Sequence, residues 1–142
     1  MSTSAVLLAR AGARRVALPL EHLVEVIDPG TAVAVPGREP AFRGLANLRG
    51  RLIPLVHLGA LLDGGSCPPA QSDAAVVISV DGRTLCLEVE AVEEVTRGDA
   101  VPVPAGEALP WALGVVCAAD GLVPILDVAA VGSRLVEGGS AA

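Results

Sequence analysis

The hydrophobic residues of the chain fall into short runs that are separated by clusters of Gly, Pro and Asp. Most runs have the length of a strand rather than a helix, as in AVLLARAG, RRVALPL, RLIPLVHL, AAVVISVDGRTLCLEV and GLVPILDV. Asp81 and Gly82 stand between two alternating apolar runs, which is a strong signal for a tight hairpin. The segment VLLARAGARRVALPL has the same form. The pattern predicts an all-β protein.

The strand pattern occurs twice along the chain. Residues 16–26 align with residues 85–95 at an offset of 69, and the residue class agrees at eight of eleven positions. Residues 44–58 align with residues 114–128 at an offset of 70, and the class agrees at eleven of fifteen positions. A Val-rich and Leu-rich composition can produce such matches by coincidence, but a nearly fixed period indicates two copies of one strand unit. Because each copy is small, we expect the copies to pack against each other.

A chain of 142 residues suits one domain. Within it, we expect a first barrel at residues 14–65 that takes one strand from elsewhere, and a Gly-rich and Pro-rich linker at residues 66–73. We expect a second barrel at residues 74–127 and a C-terminal segment with a disordered tail at residues 128–142. Residues 98–110 are predicted to form a loop inside the second copy. Terminal strands need edges to pair with, so exchange of strands between the copies is expected.

Composition excludes several classes of function. The net charge is -6 and the only aromatic residues are Phe42 and Trp111, so the chain offers neither the basic face nor the stacking platforms that nucleic acid requires. No apolar run approaches the length of a membrane span, so we expect no direct membrane insertion. Cys67, Cys86 and Cys117 form no Cys-x-x-Cys pair, which argues against a disulfide framework or a zinc site and favours the cytoplasm.

Motifs for catalysis are missing from the sequence. It contains no nucleophile elbow, no dinucleotide fingerprint and no P-loop. Glu90, Glu93 and Glu94 follow an apolar strand, and we interpret them as a solvated rim rather than as an acid and base pair. His57 is interpreted as a polar residue at a strand end rather than as a metal ligand. The sequence therefore predicts no catalytic residue, no metal and no cofactor.

One stretch carries a family resemblance. In GLANLRGRLIPLVHL, Gly44 precedes an Asn-Leu-Arg-Gly turn, and Pro54 lies in the apolar strand that follows. This order resembles the CheW family of bacterial chemotaxis adaptors. The likeness extends over nearly the whole chain, through VLLARAGARRVALPLEHLVEV, AVVISVDGRTLCLEVEAVEEV and WALGVVCAADGLVPILDVAAV.

The resemblance implies a fold and a function. Members of the family have two five-stranded barrels of SH3-like form, packed around a hydrophobic junction, with short helical or turn segments. They are adaptors without enzyme activity that couple the cytoplasmic tip of a methyl-accepting chemoreceptor to the regulatory domain of a CheA-type histidine kinase. The expected location is the cytoplasm, at receptor clusters. The internal repeat independently predicts the two-part fold.

The resemblance also implies the functional residues. It pairs Glu25 with Arg49 in a salt bridge that fixes the turn, although an ordinary solvated charge pair is the alternative interpretation. A receptor helix is then expected in an apolar groove between the barrels. We hypothesise that the receptor-binding residues are Leu23, Glu25, Val26, Gly44, Asn47, Leu48, Arg49, Val92 and Val95.

A second interpretation of the function stays open at this point. Residues 98–110 are short against the family pattern and contain no aromatic residue. In the family, this part of the second barrel contributes to a second contact with kinase regulatory domains. The alternative is therefore an accessory protein that binds receptors but not the kinase and tunes receptor clustering. A ligand-binding or enzymatic barrel would need a polar constellation in a pocket, which the sequence does not offer.

Overall fold

The computed structural model of the protein describes residues 3–37, 39–106, 109–119 and 121–139. The described residues form ten strands, a short 3-10 helix at Leu20–His22 and two α-helices. The strands are β1 (Thr3–Ala11), β2 (Arg14–Pro19), β3 (Leu23–Ile27), β4 (Phe42–Leu48), β5 (Arg51–His57), β6 (Ala74–Val80), β7 (Arg83–Val89), β8 (Ala91–Val101), β9 (Ala112–Ala118) and β10 (Gly121–Leu126). The helices are α1 (Leu58–Asp63) and α2 (Val128–Gly139).

The strands form two five-stranded units. One is a closed barrel with the strand order β1-β2-β10-β9-β8, here called barrel A. The other is a sheet with the order β3-β6-β7-β5-β4, here called sheet B. The predicted all-β class and the division into two five-stranded units are confirmed.

Each unit contains strands from both copies of the repeat. The hairpin β1–β2 of the first copy lies in barrel A with β8, β9 and β10 of the second copy, and the hairpin β6–β7 lies in sheet B with β3, β4 and β5. In each unit, a parallel strand pair joins the hairpin to a strand of the other copy. Ala17 of β2 pairs with Ile125 of β10 in barrel A, and Cys86 of β7 pairs with Leu55 of β5 in sheet B. The predicted spans 14–65 and 74–127 therefore do not coincide with the two units. The prediction allowed for strand exchange but not for a whole hairpin exchanged in each direction.

The main hydrophobic core lies between the units rather than inside either one. Its 19 buried residues come from both units and include Leu18, Val56, Leu87 and Trp111; it is here called the junction core. The interior of barrel A has six buried residues, and the interior of sheet B has six. Because most of the buried core residues belong to the junction core, the two units depend on each other for stability.

Two equivalent glycines allow the units to close. In barrel A, β8 pairs with β9 through Val101 and Val115. In sheet B, an isolated bridge between Val33 and Leu45 joins the chain after β3 to β4. A Cβ on Gly44 would lie 2.3 Å from the Val33 carbonyl oxygen, and one on Gly114 would lie 2.5 Å from the Val101 carbonyl oxygen. The repeat of glycine at these positions therefore reflects a close backbone approach.

Two predicted irregular segments are more ordered than expected. Strand β8 runs to Val101 because Gly98 pairs with Ser4 and Ala100 pairs with Val116, so the predicted loop at 98–110 begins only at Pro102. Residues 107–108 of that loop lie outside the described residues. Helix α2 runs to Gly139, so the first residues of the predicted disordered tail are helical, and residues 140–142 lie outside the described residues.

Candidate functional site

The Asn-Leu-Arg-Gly segment forms the tight turn between β4 and β5. Arg49 and Gly50 both have positive φ values, 51° and 87°, as a two-residue hairpin turn of the I′ type requires. The Asn47 Oδ1 atom accepts a hydrogen bond of 2.7 Å from the Gly50 N–H. Leu48 packs against the interior of sheet B. An arginine in the left-handed region costs about 1 to 3 kcal/mol, so other interactions must hold the turn.

A bidentate ion pair with Glu25 provides such an interaction. The Arg49 NH2 and NH1 groups donate to the Glu25 Oε1 and Oε2 atoms at 2.6 and 2.9 Å. The hydrogen bonds from Arg49 lower the pKa of the Glu25 carboxyl group below its ordinary value. Glu25 lies on β3 and Arg49 follows β4, and these are the two end strands in the order of sheet B. The structure thus places the predicted partners together, as a brace between the ends of one sheet.

The apolar candidates on β3 point in two directions. Leu23 is half-buried and packs against the junction core. Val24 and Val26 are exposed, at 53% and 45% of their surface, on the side chain positions that alternate with Leu23 and Glu25. Val24 and Val26 therefore flank Glu25 along β3 and point away from its side chain.

The candidates on β8 divide in the same way. Val92 packs against the junction core, whereas Val95 is 56% exposed. Val95 pairs with Leu7 of β1 in barrel A, and Val26 pairs with Val76 of β6 in sheet B. Leu23 and Val92 therefore share the junction core. Val26 and Val95 lie at equivalent places on different units, and both are exposed.

A second ion pair, which the sequence did not reveal, lies in sheet B. Arg43 Nε donates to Glu88 Oε1 at 2.6 Å, and the Glu88 side chain is fully buried. Arg43 NH1 also donates to the Pro68 carbonyl oxygen at 2.8 Å, and the Ser72 N–H donates to Glu88 Oε2 at 2.8 Å. The pair therefore fixes the linker between the copies onto the end of sheet B. The only signal in the sequence is a charged residue inside each of two apolar strands.

His57 and Glu90 connect three elements at the junction. The Ala60 N–H donates to His57 Nδ1 at 3.0 Å, so the imidazole caps helix α1. His57 Nε2 then carries the proton and donates to Glu90 Oε2 at 2.7 Å. The Gly12 N–H of the β1–β2 turn donates to Glu90 Oε1 at 2.5 Å. Glu90 is thus a link between the units, and its side chain is still 37% exposed, as expected for a residue of the solvated rim.

The pKa of Glu90 reflects this position. Partial burial acts to raise the pKa, but the hydrogen bonds from Gly12 and His57 outweigh burial. The pKa of the carboxyl group is therefore held below its ordinary value. Glu93 also forms ion pairs, with Arg15 Nε at 2.8 Å and with Arg10 Nε at 3.5 Å. Charged groups thus tie β8 to β1 and β2.

The family model of the CheW-like domain matches residues 5–135. The chain belongs to the CheW-like domain family. No curated protein matches the sequence. Among solved structures, the scaffolding protein TtCheW from Thermoanaerobacter tengcongensis has a TM-score of 0.75 and 20% sequence identity, over 88% of this chain and 89% of that chain. At this identity the likeness shows the fold, which is the CheW-like arrangement of two β-sheet units.

Metal ligands, membrane-spanning helices and reactive thiols are the remaining features to consider in this CheW-like domain. Among the described residues, no group of three or more His, Cys, Asp and Glu side chains is placed to hold a metal ion. No helix in the described part of the chain is long and apolar enough to cross a membrane. Burial raises the pKa of the Cys86 thiol to about 11, with a smaller contribution from the charge of Glu25. Cys86 is therefore a core residue rather than a reactive thiol.

Proposed function

We propose that the protein is a non-enzymatic adaptor of bacterial chemosensory signalling that couples a methyl-accepting chemoreceptor to a CheA-type histidine kinase. Membership of the CheW-like family supports this role. The observation that carries the proposal is the bidentate Glu25–Arg49 pair, which fixes the Asn-Leu-Arg-Gly turn next to the exposed valines of β3. The adaptor works in the cytoplasm at receptor clusters and needs no cofactor.

The receptor contact follows from the form of the surface. A receptor tip is a helical hairpin, and helix-in-groove binding draws most of its energy from a few apolar anchors. Val26 on sheet B and Val95 on barrel A supply exposed anchors on either side of the junction. Leu23, Leu48 and Val92 lie beneath this surface and fix the strands that carry it. Asn47 and Gly44 act on the backbone, by holding the turn and by allowing the close approach of Val33.

The accessory function is the second candidate, and one observation favours it. Residues 98–110 carry no aromatic residue, and Trp111, which follows them, is buried in the junction core. Aromatic side chains commonly anchor protein interfaces. This part of barrel A therefore offers no aromatic anchor to a kinase regulatory domain. In this version of the proposal, the protein binds receptors readily but does not by itself build closed rings with the kinase.

Separate binding measurements distinguish the two functions. The purified protein is incubated with an immobilised receptor signalling tip and, in a second experiment, with an immobilised kinase regulatory domain. Retention on both supports the coupling adaptor, and retention on the receptor alone supports the accessory protein. Retention on neither contradicts both. Cryo-electron tomography of a reconstituted array then tests the ring contact, because hexagonal rings that alternate this protein with the kinase would exclude the accessory role.

A further inference from the structure

The two α-helices begin at equivalent positions of the repeat but are capped by different side chains. His57 precedes α1 and Asp127 precedes α2, at an offset of 70. The His57 Nδ1 atom accepts a hydrogen bond of 3.0 Å from the Ala60 N–H, and the Asp127 Oδ1 atom accepts one of 3.1 Å from the Ala130 N–H. The two side chains therefore have the same role at the start of their helices.

The backbone at the two caps is also held in the same way. The His57 N–H donates to the Ala41 carbonyl oxygen at 2.8 Å, and the Asp127 N–H donates to the Trp111 carbonyl oxygen at 2.7 Å. Ala41 and Trp111 are themselves related by the offset of 70. The caps thus differ in the chemistry of one side chain. A carboxylate accepts hydrogen bonds throughout the neutral range, whereas an imidazole accepts at Nδ1 only while it is uncharged.

Protonation of His57 would affect its two hydrogen bonds in opposite ways. Neutral His57 carries its proton on Nε2, which donates to Glu90 Oε2 at 2.7 Å. A second proton, taken up from solvent, would have to bind Nδ1, where it would face the Ala60 N–H. Two donors cannot share that hydrogen bond, so the cap would be lost. The bond to Glu90 would be kept and would become charge-assisted.

Glu90 is the charged group in direct contact with the ring, and the charges on the neighbouring elements are paired with each other. These pairs join Arg43 of β4 to Glu88 of β7, Arg14 of β2 to Asp63 of α1, and Glu93 of β8 to Arg10 of β1 and Arg15 of β2. The Cys67 thiol of the linker lies near the backbone of His57, and burial raises its pKa, so it is uncharged. Histidine changes charge between about pH 5 and pH 8, a range in which carboxylates and guanidinium groups ordinarily do not.

Helix α1 lies at the contact between the two units. Side chains of its first turn are buried in the junction core. The backbone of α1 touches the β1–β2 turn of barrel A, since a Cβ on Gly59 would lie 2.6 Å from the Gly12 nitrogen. The Gly12 N–H also donates to Glu90, which accepts from His57 as well. The first turn of α1, the β1–β2 turn and Glu90 thus form one contact that includes His57.

We propose that His57 makes the start of α1 a pH-sensitive contact between barrel A and sheet B. While the imidazole is neutral, it caps α1 and holds the first turn of the helix against the β1–β2 turn. When the imidazole is protonated, the first turn of α1 is released, and His57 stays bound to Glu90. The Arg14–Asp63 ion pair still holds the end of the helix. The device acts within the fold and does not depend on the proposed receptor or kinase.

Nuclear magnetic resonance of the isotope-labelled protein tests the switch in two ways. The ring nitrogen resonances of His57 show which nitrogen carries a proton. We expect Nδ1 to be unprotonated at about pH 8 and protonated at about pH 5, with Nε2 protonated at both. Hydrogen exchange, expressed relative to the intrinsic rate at each pH, reports on the cap. The protection of the Ala60 amide should fall about fivefold over this range, which is the typical effect of one helix cap, and that of Ala130 should not change.

Two variants separate the switch from a general effect of acid. His57→Asn supplies a capping oxygen that does not titrate, so the protection of the Ala60 amide should be the same at both pH values. His22→Asn removes the other histidine of the chain, which lies in the 3-10 helix, and should leave the loss of protection unchanged. The proposal would be overturned by an Nδ1 atom that keeps one protonation state throughout, by protection of Ala60 that does not fall, or by an equal fall at Ala130 or in His57→Asn.

Discussion

Barrel A and sheet B are built from equivalent strands but are held together at their ends in different ways. Barrel A closes through the paired strands β8 and β9, at Ala100 with Val116 and Val101 with Val115. Sheet B closes through the single bridge between Val33 and Leu45 together with the Glu25–Arg49 pair. In barrel A, the positions equivalent to Glu25 and Arg49 hold Glu94 and Ala119. A charge pair in one copy thus takes the place of a strand ladder in the other.

The same contrast holds at the mouths of the two units. Sheet B uses the Arg43–Glu88 pair to hold the linker, whereas the equivalent positions of barrel A hold Leu113 and Pro19. The comparison teaches that buried or bridging charge pairs occur in this duplicated scaffold where one unit holds a segment, such as the linker, that the other unit does not hold. The predictions below test this difference, beginning with the largest expected effect.

Removal of one partner from the buried pair should cause the largest loss of stability. In Arg43→Leu, the fully buried Glu88 carboxylate loses its counter-charge, which typically costs about 3 to 5 kcal/mol. Urea unfolding followed by circular dichroism measures the loss. The control is Leu113→Arg, at the exposed equivalent position of barrel A, where a surface substitution should stay within about 0.5 kcal/mol. Similar small effects at both positions would show that the pair is not important for stability.

The double variant Arg43→Leu with Glu88→Leu sharpens the same comparison. Replacement of a buried ion pair by apolar residues of similar volume is often neutral in stability. We therefore expect the double variant to recover most of the free energy of unfolding that Arg43→Leu loses. The linker would still lose its hydrogen bonds from Arg43, so proteolysis within residues 66–73 should become faster than in the unmodified protein. A double variant as unstable as Arg43→Leu would contradict the explanation.

Much of this organisation could be predicted from the sequence, because it depends on local patterns. The alternation of apolar residues and the Asp81–Gly82 turn predict strands and hairpins, and the repeat predicts two units. The Glu25–Arg49 pair came from a family resemblance, not from spacing. In contrast, the exchange of hairpins could not be predicted, because an apolar strand presents the same pattern whichever copy it pairs with. The Arg43–Glu88 pair joins residues 45 positions apart, and a charged residue inside each apolar strand does not indicate which partner it meets.

The extension of β8 was missed for a different reason. Gly98 and Asp99 read as turn residues, but in the structure both lie in a strand and pair with the start of β1. A strand partner can override a weak local preference, since strand propensity depends strongly on context. Similarly, Glu90 follows a strand and is a surface residue, but the sequence does not show that its carboxylate accepts hydrogen bonds from two elements that are distant in sequence.

Closure of sheet B should be sensitive to a single methyl group. In Gly44→Ala, the new Cβ lies 2.3 Å from the Val33 carbonyl oxygen, at a φ of 148°, so we expect a loss of about 3 kcal/mol. Gly50→Ala is the control, because Gly50 also has a positive φ but nothing lies within 4 Å of the added Cβ. It should cost about 1 kcal/mol. Chemical denaturation compares the two, and equal losses would argue against the close approach at Gly44.

The smallest expected effect is a pH dependence at the junction. The folded state lowers the pKa of Glu90, so its contribution to stability is present above the unfolded value of about 4.3 and is lost as pH falls through the folded value. Glu90→Gln should therefore lower the unfolding free energy near neutral pH, by no more than about 1 kcal/mol for this partly exposed group. The difference should vanish in acid. Glu94→Gln serves as the control, and a difference that stayed constant as the pH was lowered into the acid range would refute the assignment.

The central claim is that the Glu25–Arg49 pair shapes the surface that binds a receptor. Calorimetric titration of a receptor signalling tip into the unmodified protein, Arg49→Glu, Glu25→Arg and the doubly exchanged variant tests it most directly. Each single reversal puts two like charges together and should weaken binding on the order of tenfold. The effects of the two reversals should be coupled, because the residues are in contact. The double exchange should restore part of the affinity, since it rebuilds the brace with reversed charges. Equal affinities for all four folded proteins would contradict the claim.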